Sequence, residues 1–140
     1  LLGKHPSVTT SGSGLPRAQA LYGSLPEQLQ HRDSFASQLR AMLRVRAQYR
    51  INESEQVAVP AVRAPGLVVM VHRLPRGAGI QVTAVNFART PVREAVAIEP
   101  APAGGSITDL LALKVHGKLG TGKRLPITLG PQEGQVLLIK

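Results

Sequence analysis

The sequence predicts a mainly β fold: an antiparallel two-sheet β-sandwich, preceded by one α-helix and an N-terminal loop segment. Three observations carry the prediction. From Gln56 onward, short runs rich in Val, Ile and Leu recur between turn residues, and β-branched side chains suit a pleated, half-buried surface. Prolines at 60, 65, 75, 91, 100, 102, 126 and 131 mostly stand at the ends of those runs, where a sheet tolerates them. Before them, only Phe35 to about Arg50 has a long helical period.

Taken in order, Leu1–Arg32 reads as loop. Ser7–Gly14 has linker composition, and Leu15–Gly23 has room for one helical turn ended by Gly23. Asp33 or Ser34 then caps a helix placed at residues 34–50. At 100° per residue, Phe35, Leu39, Met42 and Tyr49 share one face, with Leu43 and Val45 at its edges. Arg40 and Arg44 lie opposite. Arg46 projects from the middle of the stripe, either as a snorkelling side chain with its head in water or as one half of a buried ion pair with a surface that this chain lacks.

Beyond a polar turn at Glu53-Ser54-Glu55, the candidate strands are Gln56–Val59, Gly66–Leu74, Ile80–Phe87, Val92–Ile98, Ser106–Leu110, Leu125–Leu129 and Gln135–Ile139. Leu74–Gly79 and Ala88–Pro91 are turn chemistry, so Pro65–Glu99 forms an antiparallel meander. Alternation in Gln81–Phe87 puts Val82, Val85 or Phe87 toward a core, according to register. Pro100–Gly105 and Gly117–Gly122 read as surface loops.

Composition narrows the function classes. The chain has 140 residues, enough for one domain with an appendage, and 43% are hydrophobic. Its first residue is Leu rather than Met, so a piece of a longer protein is expected. There is no cysteine, hence no disulfide framework and no thiolate metal site, which fits a reducing compartment. No apolar run approaches the ~18 residues of a membrane span, and no signal peptide is expected. The net charge is +9, yet the basic residues are scattered and few aromatic residues could stack bases, so neither nucleic acid nor membrane is expected as a partner.

Motifs for catalysis are thin. Gly117–Arg124 nearly spells a phosphate-binding loop, but Arg124 stands where a hydroxyl should hold Mg²⁺, and a strand follows instead of a helix. His5, His31, His72 and His116 lack metal-ligand spacing, and His72 reads as a structural strand residue. Glu53 and Glu55 are close in sequence but sit in a polar turn as solvated groups. Aromatic residues are 3% of the chain, with no Trp, too few for a sugar-stacking platform. No catalytic residue, metal site or cofactor is expected within this chain.

Several ordered blocks carry a family resemblance. Gly14–Leu29 (GLPRAQALYGSLPEQL), Asp33–Ala36 and Leu43–Ile51 resemble the end of the catalytic domain of trehalose synthase (maltose α-D-glucosyltransferase) of the α-amylase superfamily. Pro65–Pro75 (PGLVVMVHRLP), Val82–Phe87 and Glu133–Ile139 are similar to that family's C-terminal β-sandwich. The resemblance implies a bacterial cytoplasmic parent enzyme that interconverts maltose and trehalose by intramolecular, retaining glucosyl transfer in a (β/α)8 barrel. It also implies a division into residues 1–52, the end of the barrel domain, and residues 53–140, the sandwich. The family's nucleophile, acid/base and stabilising carboxylates map upstream, so this piece would be an accessory domain without catalysis of its own. Phe35, Leu39, Met42, Arg46 and Tyr49 are then the candidate domain interface, with the barrel as partner and homo-oligomerisation as a second option. The competing class is an independent binding module for glycan or an anionic polymer.

Overall fold

The structure is a computed structural model, and it describes residues 24–140. The linker stretch Ser7–Gly14 and the helical turn expected in Leu15–Gly23 lie outside the described residues. Contacts divide the chain into two compact units, one ending at Arg44 and the other running from Val45 to Lys140.

In the first unit, α1 (Leu25–Gln30) occupies part of the segment expected to be loop. Its start is a reciprocal cap: Ser24 N–H donates to Glu27 Oε2 at 2.9 Å, and Glu27 N–H donates to Ser24 Oγ at 3.5 Å. Pro26 stands in the first turn, where its missing N–H costs nothing. Helix α2 (Phe35–Gln48) begins where expected and ends two residues early. Ser34 Oγ accepts from Ser37 N–H at 3.3 Å and donates to His31 O at 2.8 Å. The buried Gln28 side chain accepts from Ala36 N–H at 3.1 Å, fixing the short helix to the long one.

The second unit is the β-sandwich. Its strands are β1 (Glu55–Ala58), β2 (Leu67–Arg73), β3 (Ile80–Asn86), β4 (Val92–Ala97), β5 (Ser106–Asp109), β6 (Lys114–Lys118), β7 (Arg124–Leu129) and β8 (Gly134–Ile139). Seven match the expected strands to within a residue at each end. The eighth, β6, replaces part of an expected loop. All pairings are antiparallel, in a six-stranded sheet β1-β2-β3-β8-β5-β6 and a two-stranded sheet β4-β7.

The alternation resolves as follows. Val69 and Val71 of β2, Val82 and Ala84 of β3, and Leu137 and Ile139 of β8 face Val96, Leu125 and Ile127 of the small sheet in one buried core. Val82 is therefore the inward residue of its run. Val85 lies on the opposite face, and Phe87 is 67% exposed. Pro126 stands inside β7, opposite Ala95, in a two-stranded sheet where alternate residues aim their N–H away from the partner strand and a proline is tolerated.

Two polar devices close the sandwich. Asn86, fully buried, donates from Nδ2 to Thr90 O at 2.8 Å and to Gly130 O at 2.7 Å, while its Oδ1 accepts from Ala88 N–H at 2.9 Å. Glu94 accepts the backbone N–H groups of Arg63 and Ala64 at 2.8 and 2.9 Å, tying the β1–β2 connection to β4.

On the outer face of the large sheet, Leu74, Leu110 and Leu138 form a second buried cluster, joined by the partly buried Val45, Tyr49 and Ile51. Full burial of a Leu side chain is worth about 1.5–3 kcal/mol, so this cluster anchors the chain entering β1.

Candidate interface

The candidate interface is built on α2, whose sequence FASQLRAMLRVRAQ holds three arginines and no acid. Its apolar residues recur at helical spacing, but four of them stay in water: Phe35 is 44% exposed, Leu39 36%, Met42 49% and Leu43 52%. On α1, Leu25 and Leu29 are 54% and 43% exposed. Exposed large apolar side chains of this kind make the helix the candidate for an interaction surface.

The five sequence-predicted interface residues divide. Phe35, Leu39 and Met42 form the open stripe. Tyr49 leaves it, because α2 stops at Gln48 and the chain turns at Arg50, whose φ is 51°; Tyr49 packs against the Leu74, Leu110 and Leu138 cluster instead. Arg46 is exposed and makes no ion pair among the described residues. The reversal at Arg50 is held by its guanidinium on Glu53, where Nε donates to Oε1 at 2.8 Å. That hydrogen bond raises the Arg50 pKa and lowers that of Glu53.

The acids of the sandwich are engaged in structure. Glu55 pairs with Arg73 at 2.9 Å, so neither it nor Glu53 is the merely solvated group expected from sequence. Asp109 Oδ1 accepts from Leu111 and Ala112 N–H, both at 2.8 Å, and its Oδ2 accepts from Gln135 Nε2 at 3.0 Å. Glu94 is held below the usual carboxylate range, chiefly by the N–H groups of Ala64 and then Arg63. Among the described residues, no group of three or more His, Asp or Glu could hold a metal ion. His72, half-buried on β2, has a buried Nδ1 with no hydrogen-bond partner, as has Oε1 of its cross-strand neighbour Gln81. No described helix is long and apolar enough to cross a membrane.

No family model and no curated protein matches the sequence. Solved structures match the fold. An Anoxybacillus α-amylase superposes with a TM-score of 0.60 at 12% identity, over 74% of this chain and 22% of that one. AmyP, in a complex with maltose, gives 0.56 at 20% identity, over 74% of this chain and 19% of that one. The α-amylase of Geobacillus thermoleovorans, complexed with acarbose, gives 0.52 at 10% identity, over 64% and 19%. This chain therefore spans about a fifth of the length of the amylase chains it matches. These likenesses show the fold: a β-sandwich that is also present in chains of several glycosyl hydrolases.

Proposed function

We propose that this chain is the non-catalytic C-terminal part of an α-amylase-superfamily enzyme of the trehalose-synthase type. In that enzyme, a barrel domain supplied by the upstream chain interconverts maltose and trehalose by intramolecular glucosyl transfer. Residues 1–52 complete the barrel domain, and residues 53–140 are the sandwich that buttresses it, in a bacterial cytoplasmic protein. The observation that carries the reading is the fold likeness to about a fifth of several amylase chains. The finer assignment, to trehalose synthase, rests on the ordered sequence blocks Gly14–Leu29, Leu43–Ile51 and Pro65–Pro75.

In this reading, the stripe Phe35, Leu39 and Met42 is covered by the barrel, and Arg46 keeps its head at the rim of that contact. Val45 and Tyr49, packed in the sandwich's outer cluster, then carry the chain from α2 into the accessory part. Catalysis then comes from carboxylates outside this chain, and no cofactor or metal is bound by it. The test is the reading frame upstream of Leu1. It should encode a (β/α)8 barrel with a retaining carboxylate pair; an unrelated domain there would refute the proposal.

A further inference from the structure

We propose that strand β6 (Lys114–Lys118), the open edge of the six-stranded sheet, is a docking edge for an extended acidic polypeptide segment, which adds to it as a further strand. The sheet order ends at β6, and all five of its residues are exposed. An edge strand carries a row of backbone N–H and C=O groups that ordinarily must be covered, shortened or charged. Here the flanking apolar residues are left uncovered: Leu113 is 82% exposed and Val115 66%. Val115 stands opposite Thr108, and Thr108 opposite Leu138, so Val115 continues the outer-face row that includes the second apolar cluster. An added strand would cover it.

Charge selects the occupant. Every ionisable side chain on β6 is basic: Lys114, His116 and Lys118. Register puts Lys114 beside Asp109 and Lys118 beside Ser106, on opposite faces of the sheet. Neither lysine takes part in an ion pair among the described residues. The nearest acid, Asp109, lies 3.9 Å from His116 Nε2, but its two oxygens already accept from two backbone N–H groups and Gln135. The cations on both faces of this edge therefore lack carboxylates of their own. A second copy of β6 is the wrong partner, since it brings only further cations (Lys114, His116, Lys118) to an edge whose cations lack free carboxylates. A strand bearing Glu or Asp on both of its faces meets the two lysines and offers its backbone to the edge at once.

The probe is a capped peptide of roughly seven Glu and Val residues with Glu on both strand faces, compared with its counterpart in which Lys replaces Glu, by titration into the isotope-labelled chain at low salt. The acidic peptide should bind at least about tenfold more tightly than the basic one, with amide shifts centred on residues 113–118. K114E/K118E should reverse that preference. Both positions are exposed and unpaired, and its melting curve confirms that the variant folds. Absence of binding, equal binding of both peptides, or shifts centred elsewhere would overturn the proposal. So would self-association of the chain through β6 amides without peptide.

Discussion

The carboxylate of Glu94 on β4 accepts the backbone N–H of Ala64 at 2.9 Å, across thirty positions of sequence. A second acceptance, from Arg63 N–H at 2.8 Å, completes a clamp on the β1–β2 connection. Val62 and Ala64 pack against the main core from that connection, so the clamp holds in place part of the lid over the two-stranded sheet.

This clamp gives the sandwich an acid-sensitive point. The folded-state pKa of Glu94 is lowered, by Ala64 N–H first and Arg63 N–H second. A lowered pKa means that its stabilising contribution is fully present above the unfolded carboxylate value, about 4.3. That contribution is lost as pH falls through the depressed folded value. The melting temperature of the wild-type chain should therefore fall as pH drops below that range. Glu94→Gln should melt lower than wild type at neutral pH, and the gap should narrow in acid. A constant gap across the titration would show that the charge of Glu94 is not what holds the connection.

Asn86 offers a second test within the sandwich. Its side chain makes three hydrogen bonds to backbone groups while fully buried. Asn86→Leu should cost about 2–4 kcal/mol, because it strands two carbonyls and one N–H without partners. Urea denaturation measures this directly; a loss below about 0.5 kcal/mol, the range of surface substitutions, would contradict it.

The strands that were legible in the sequence are those whose one face is core. Val82 and Ala84, or Leu125, Ile127 and Leu129, alternate with polar or exposed positions, and that pattern gives both the strand and its register. Strand β6 has no such pattern, since Lys-Val-His-Gly-Lys has one large apolar residue and every position is exposed. It exists because β5 offers it an edge, which is tertiary information. Helix α1 was too short for periodicity, but Ser24-Leu25-Pro26-Glu27 did contain its capping signal. The exposed apolar residues Phe35, Leu39 and Met42 follow the helical period read from the sequence. Tyr49 was not separable from them, because the helix end at Gln48 depends on the left-handed turn at Arg50.

The two parts of α2 should respond differently to mutation in the isolated chain. Leu39 is exposed, so Leu39→Asp should change stability by no more than about 0.5 kcal/mol. Leu138→Ala, in the cluster that receives Tyr49, should cost about 2–5 kcal/mol. Thermal melts of both variants distinguish this from a helix whose stripe is packed within the chain, for which Leu39→Asp would be the damaging change.

Binding of nucleic acid should be weak. The positive charges are dispersed, so retention on DNA should disappear steeply as salt rises, as counterion release requires. Nanomolar binding that persists at physiological salt would reveal a built site that the scattered arginines do not form.

The most direct test follows maltose by NMR in the complete enzyme, encoded by the longer reading frame, and in this chain alone. The complete enzyme should convert maltose to trehalose, and the isolated chain should leave maltose unchanged. Leu39→Asp in the complete enzyme should lower its melting temperature, although the same change leaves the isolated chain nearly unaltered. Conversion by the isolated chain, or a complete enzyme that leaves maltose untouched, would contradict the proposed accessory role.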